Sequence, residues 1–381
     1  MTSLDEEAGP GRPDGVVVER APVYAWARRA VYGGGGVPGR LARGALAPLG
    51  WVWGLAAARR LESGAEAGRV LPAPAISVGN VTVGGGGKTS LVEWIVREET
   101  AAGVRVAVLS RGYGRSAAGP RAARPGSAAS ASDVGDEPAL LARAGAWVGV
   151  SPDRFLAARA VAGLGARAEL FVLDDGLQHR SVPRALDLVV FTALDLEAPA
   201  RCLPAGPLRQ APGWRPPAAA WVVAGADPRD GRWAEHSIGG AYAPWWRELP
   251  GTAADWRALP AVTLAAWRAG GETPFDPEGR AVVAFAGVAR PESVAELARR
   301  TGHDVSALVA FPDHHPYAAD DVGALRAAHP GAAFLTTEKD AVKCDPAWFG
   351  ESPAGVLGRR LEPREPGLLR RLIADAVGDR T

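Results

Sequence analysis

Cysteine is nearly absent from this chain: Cys202 and Cys344 are the only two in 381 residues, and they form no Cys-x-x-Cys pair. That excludes a disulfide scaffold and fits a reducing compartment. An excess of charge of one sign is also missing. Lysine and arginine number 43 against 42 aspartates and glutamates, a net charge of +1, which argues against a general nucleic-acid binder. Long apolar runs are lacking too. The richest stretch, Gly44 to Ala58, falls short of the roughly 20 apolar residues a bilayer span needs. Residues Met1 to Glu19 are acidic and contain Gly and Pro, so they do not form a secretory signal peptide; residues 1–20 read as a disordered extension.

Lysine is the scarcest charged residue. It occurs only at Lys88, Lys339 and Lys343, and arginine supplies the rest of the positive charge. A lysine retained against that bias stands where a compact ammonium serves better than a planar guanidinium.

What is present is a large apolar fraction, 47%, enough for sizeable cores in about two domains. Residues 21 to 68 are helical in character, with Arg28, Arg29, Arg40, Arg43, Arg59 and Arg60 around an apolar centre that holds Trp51 and Trp53. Such a segment is either a helix lying in a membrane interface or an amphipathic helix packed on the core. From Ala73 onwards short apolar strands alternate with helices. Ala75 to Val78, Val104 to Leu109, Leu170 to Leu173 and Leu186 to Phe191 read as strands, and Leu91 to Glu99 as a helix. This is the pattern of a parallel sheet covered on both faces. Gly114 to Val134 reads as a mobile loop and Pro250 to Pro277 as a linker. A strand at Ala281 to Phe285 opens a second unit. The expected architecture is α/β: a P-loop domain over 21–270 with helices on both faces, and a smaller C-terminal α/β domain over 271–381.

The chemistry concentrates in a few motifs. Gly84, Gly85, Gly86, Gly87, Lys88, Thr89 and Ser90 lie between a strand and a helix, the setting of a phosphate loop. Backbone N–H groups there cradle phosphate, Lys88 neutralises it, and the Thr89 hydroxyl meets magnesium. The full pattern wants a glycine where Thr82 stands. Asp174 and Asp175 end a strand beside this loop, where the carboxylate partner of magnesium belongs; they are assigned jointly. Gln178 and His179, just beyond, suit contacts to substrate or phosphate. Asp136 either caps a helix or takes a proton from an attacking hydroxyl. Asp313, His314 and His315 are either loop surface residues or a proton-handling cluster. Arg111 follows a strand end and Arg209 a run of turn-forming residues; each either reaches phosphates or substrate or stays solvated. Thr336 to Asp340 has the wrong spacing for guanine recognition, because Lys339 and Asp340 are adjacent.

In order, Val78 to Thr89, Leu109 to Gly114, Gly135 to Pro138, Asp174 to His179, Leu203 to Arg209, Phe285 to Val288, Phe311 to Tyr317 and Thr337 to Asp340 resemble the tetraacyldisaccharide 4'-kinase family. The resemblance implies ATP and Mg2+ as the phosphoryl donor complex, and an acylated glucosamine disaccharide 1-phosphate as acceptor. It implies work at the cytoplasmic face of a Gram-negative inner membrane, with contact through the interfacial helix. By similarity Asp136 and His314 act together as the base, with Asp313 and His315 supporting; in the mechanism this suggests, Lys88, magnesium and Arg111 stabilise the charge. Gly86 and Ser90 depart from the usual Thr or Ser and Pro, and Glu197 to Ala200 replaces a glycine-rich approach. A monomer without nucleic-acid partners is expected. The alternatives are a kinase for another amphiphilic sugar, or a nucleotide-switched assembly ATPase; the latter usually carries an early second lysine in its loop, and none lies in Thr82 to Gly87.

Overall fold

The computed structural model describes residues 17–19, 30–66, 69–83, 87–127, 129–192, 195, 199–212, 214, 216, 219–224, 253–254, 261–266, 275–288, 291–360, 363 and 366–378. The chain divides into two units, residues 21–261 with 359–381, and residues 1–20 with 262–358.

Strand β1 (Val17–Glu19) belongs to the smaller unit. Helix α1 (Gly36–Glu66) opens the larger one. Its sheet holds β2 (Ala75–Gly79), β3 (Val106–Ser110), β4 (Arg121–Ala123), β5 (Trp147–Val150), β6 (Leu170–Asp174), β7 (Leu186–Thr192), β8 (Ala219–Ala224) and β9 (Ala253–Ala254). The spatial order is β4-β5-β3-β6-β2-β7-β8-β9, parallel throughout except that β4 runs antiparallel to β5. Every residue of β2, β3 and β6 is buried, as continuous apolar strands in a doubly covered sheet must be.

The two-residue period of a strand sorts these side chains onto two faces. Ile76, Val78, Val108 and Val172 face one core with Leu91, Val92 and Ile95 of helix α2 (Lys88–Ala101). Ala107, Leu109, Phe171 and Leu173 face the other, with Ala157 and Val161. Between β4 and β6 lie the short α3 (Ala131–Val134), α4 (Asp136–Arg143) and α5 (Arg154–Gly163). The stretch Gly114 to Val134, expected as a loop, thus carries β4 and α3.

In the smaller unit β10 (Ala261–Ala266), β11 (Val282–Ala286), β12 (Val305–Ala310), β13 (Ala333–Thr337) and β14 (Ala354–Arg360) join β1 in the order β1-β12-β11-β13-β14-β10. Helices α6 (Glu292–Arg300), α7 (Ala319–Ala328) and α8 (Glu338–Ala341) connect them. Strands β9 and β10 fall within the stretch expected as a linker, and β1 within the expected disordered extension.

The last helix, α9 (Pro366–Val377), returns to the larger unit, although 271–381 reads as one C-terminal domain. Its Leu369 and Ile373 are buried with Ile76 and Leu91, and Arg370 Nε donates to Glu98 on α2 at 2.8 Å. Local pattern makes α9 amphipathic; only tertiary packing decides which sheet it covers.

Candidate active site

Between β2 and α2 the chain reverses into a helix N-terminus, where unpaired backbone N–H groups favour an anion. Gly87 caps α2 with φ 80°, a left-handed conformation that costs an L side chain about 1–2 kcal/mol. Gly84, Gly85 and Gly86 lie outside the described residues. Lys88, the first residue of α2, donates to Asn80 Oδ1 at 3.1 Å and stands 3.4 Å from Asp175 Oδ1. Thr89 and Ser90 follow in the same turn, half-buried.

Thr82 has a reason to replace glycine. It is fully buried, its hydroxyl donates to Asp195 Oδ1 at 2.7 Å, and it bridges to Leu208. Val83 N donates to Pro207 O at 2.9 Å and Arg209 N to Val81 O at 2.8 Å. The segment before the glycines is therefore anchored to the loop that carries Arg209.

Asp174 ends β6 and is buried. Ser110 Oγ donates to its Oδ2 at 3.2 Å, while Oδ1 is buried with no hydrogen-bond partner. Burial, with the neighbouring charges of Glu137 and Asp175, pushes its carboxyl up to about 7. Behind it lies Arg154, 1% exposed, donating to the carbonyls of Ser151 at 2.9 Å and Asp174 at 3.3 Å. Burial lowers that guanidinium to about 10.

Asp175 behaves in the opposite way. Its φ of 48° turns the backbone out of the strand and leads the carboxylate to two cations. Arg209 NH1 lies 2.9 Å from both of its oxygens, and Lys88 at 3.4 Å. Burial acts to raise this carboxyl, but Lys88 and Arg209 outweigh it and hold it at about 2. Arg209 also donates to Gln178 Oε1 at 3.2 Å, and Gln178 Nε2 donates to Asn80 O at 2.8 Å. Lys88, Asn80, Asp175, Gln178 and Arg209 thus form one connected network.

His179 is half-buried and tied to Ser181 Oγ at 2.9 Å; burial first, then Arg154 and Arg184, lower it to about 4, so it is neutral at pH 7. Arg184 braces this turn through the carbonyls of Gly176, Leu177, His179 and Val182, and pairs with Asp187 at 3.0 Å. Asp136 is buried at the start of α4, with Oδ1 accepting from Glu137 N at 3.0 Å. Arg111 is exposed beyond β3, and its charge acts on both Arg154 and His179.

In the smaller unit, His314 (φ 62°) donates its N–H to Gly287 O at 3.0 Å. Its Nε2 lies 3.2 Å from Lys339 Nζ and 3.9 Å from Asp313 Oδ1. His315 turns away and pairs with Asp321 Oδ2 at 3.0 Å, at the head of α7. Asn80, Ser110, Arg154, Arg184, Asp195 and Lys339 have no place among the residues singled out by sequence. Asn80, Ser110 and Lys339 lie in matched motifs, and Lys339 is one of three lysines; Arg154, Arg184 and Asp195 are single polar residues with no spacing signal of their own.

A lysine at the head of a helix after a buried parallel strand, facing two carboxylates at the end of the adjacent strand, defines a P-loop nucleotide-dependent phosphotransferase. The chain belongs to the tetraacyldisaccharide-1-P 4'-kinase family, whose model matches residues 42–376. A tetraacyldisaccharide 4'-kinase of Methylobacterium sp. (strain 4-46) is 39% identical over 89% of this chain and 93% of its own. That of Alkalilimnicola ehrlichii is 41% identical over 80% and 82%. Among solved structures, LpxK from Aquifex aeolicus in complex with ATP is similar with a TM-score of 0.63 and 27% identity, covering 88% of this chain and 100% of that one.

Proposed function

We infer that this chain transfers the γ-phosphoryl group of ATP to the 4' hydroxyl of a tetraacylated glucosamine disaccharide 1-phosphate, a step of lipid A biosynthesis. The observation that carries this reading is the Lys88–Asp175–Arg209 network beside the unpartnered oxygen of Asp174, within a family match across most of the chain. Arg209, Lys88 and the N-terminus of α2 offer positive charge to the phosphates. The chemistry of the donor set fits magnesium: Thr89 Oγ and the open Oδ1 of Asp174 are hard oxygens, whereas Asp175 is already engaged by two cations. Thr89 and Asp174 would therefore hold the ion, with Asp175 beside it. Bound there, magnesium neutralises charge on the β- and γ-phosphates.

In the transfer the acceptor oxygen attacks the γ-phosphorus in line, the bond to ADP breaks, and the hydroxyl proton passes to Asp136, with His314 as the second proton-handling group. Arg111 adds charge stabilisation; Gln178, His179, Asp313 and His315 support the acceptor and phosphates. Asp136→Ala and His314→Ala should each lower turnover by about 10²–10⁴-fold while ATP binding, read by thermal shift, is retained. Full activity in either variant removes that residue from proton transfer.

The acceptor's acyl chains lie in a bilayer, and α1 suits that address. Leu41, Leu49, Trp51 and Val52 are 70, 57, 69 and 57% exposed, with Arg40, Arg59 and Arg60 also exposed. Among the described residues no helix is long and apolar enough to cross a membrane, so the proposed attachment is peripheral, at the cytoplasmic face of a Gram-negative inner membrane. Trp53 Nε1 donates to Arg209 O at 3.1 Å, linking this helix to the site. Leu49→Ser/Trp51→Ser should cut sedimentation with phosphatidylglycerol vesicles by about tenfold or more, given roughly 1.5–3 kcal/mol per buried apolar side chain. Unchanged binding would place the membrane contact elsewhere.

A further inference from the structure

We propose that Lys339 is a positioning residue for His314, donating a hydrogen bond to its Nε2 and so fixing the ring tautomer that carries its proton on Nδ1. The inference deepens the kinase reading, since it presumes that His314 takes part in phosphoryl transfer. Three observations carry it.

The first is direction. Lys339 Nζ lies 3.2 Å from His314 Nε2. An ammonium has three donors and no acceptor, so the bond can run only from lysine to ring nitrogen. A nitrogen that accepts carries no proton, which leaves the proton of the neutral ring on Nδ1. Asp313 Oδ1, 3.6 Å from Lys339 Nζ, balances the lysine charge; at 3.9 Å from His314 Nε2 it is too far to be a hydrogen-bond partner of the ring.

The second is that the segments carrying the two side chains are fastened to one residue. Gly287 O accepts from His314 N at 3.0 Å, and Gly287 N donates to Asp340 Oδ2 at 3.1 Å. Asp340 is fully buried and accepts also from Thr337 Oγ1 at 2.8 Å and from Lys343 Nζ at 2.9 Å. Helix α8, which carries Lys339, is thereby locked to the strand end that holds His314 in its left-handed conformation. A side chain at Gly287 would bring a Cβ within 2.9 Å of Pro312 O and 3.2 Å of His315 Cβ, so the two loops close on a residue that must be glycine.

The third is composition. The chain holds only three lysines: Lys88 in the phosphate loop, Lys343 on Asp340, and Lys339 on His314. A compact ammonium can meet a ring nitrogen and a carboxylate at once, where a planar guanidinium fork would need more room. With Nε2 occupied, the proton that His314 can offer in proton handling is the one on Nδ1.

The test is nitrogen-15 NMR of the histidine side chains in the full-length protein, with the His314 signals assigned by their loss in His314→Gln. Wild type should show His314 protonated on Nδ1 alone. Lys339→Ala should give mixed tautomers; Lys339→Gln, which preserves length, replaces it if the alanine variant misfolds. Turnover should fall by about tenfold with KM for ATP little changed, and His314→Ala/Lys339→Ala should be no slower than His314→Ala alone. An unchanged His314 spectrum in the Lys339 variant, or multiplicative losses in the double variant, would overturn the proposal. Because the spectrum needs neither ATP nor acceptor, a wild-type protein without transfer activity would sink the kinase reading and still leave the tautomer measurable.

Discussion

Asp174→Asn will sharply slow phosphoryl transfer and yet stabilise the nucleotide-free protein at neutral and alkaline pH. The two effects share one cause. The carboxyl is buried, with one oxygen unpartnered, and its titration moves from 3.8 up to about 7. Below pH 4 the folded and unfolded chains both carry the proton, so the carboxyl costs nothing. As the pH rises towards 7 the unfolded chain ionises freely while the folded one resists, and folding loses stability. Above about 7 the penalty is complete. Asparagine has no charge to desolvate, so the gain in melting temperature should be negligible at pH 4, grow through the window, and level off at several degrees by pH 8. Turnover should fall by roughly 10²–10³-fold, the scale of losing one group aimed at the developing charge. Equal or lower stability of Asp174→Asn at pH 8 would show that the buried carboxylate carries no penalty.

Arg209→Ala will reduce turnover by about 10²-fold through Asp175 rather than through the fold. Arg209 contacts both oxygens of that carboxylate, while Lys88 stands farther off at 3.4 Å. Without the arginine, Asp175 recruits Lys88 as its sole cation and draws the ammonium away from the phosphates. Gln178 loses its donor as well. Arg209→Lys should recover part of the loss, since the contacts to Asp175 and Gln178 all run from one nitrogen, NH1, which an ammonium on a shorter side chain replaces incompletely. The check is steady-state kinetics with varied ATP alongside thermal stability. A variant with normal kcat would leave the Asp175–Arg209 pair a structural contact only.

The site was legible in sequence where chemistry depends on spacing along the chain. Lys88 and Thr89 follow glycines at a strand–helix junction, and Asp174 and Asp175 end an apolar strand; both signals are local. The division of labour between the two aspartates was not legible. It depends on Arg209, thirty-odd residues away, and on a buried arginine at 154, and arginine is among the residues least often fully buried. Sequence order likewise could not assign α9 to the larger sheet. Its apolar stripe fits either core, and the choice rests on Leu369 and Ile373 meeting Ile76 and Leu91. Thr82 is a third case. As a departure from the glycine pattern it weakens the motif, but its hydroxyl binds Asp195 while its backbone pairs with Leu208 in the loop that carries Arg209. In the smaller unit, Asp313, His314 and His315 read as one proton-handling cluster, whereas the structure sends His314 to Lys339 and His315 to Asp321.

The central claim is tested most directly by incubating the protein with magnesium and γ-labelled ATP and with detergent-dispersed tetraacylated glucosamine disaccharide 1-phosphate, then locating the label by product analysis. The account predicts a bis-phosphorylated disaccharide with the new phosphate on the 4' oxygen. Label released only as inorganic phosphate at the same rate with or without the acceptor would contradict it and favour a nucleotide-switched ATPase.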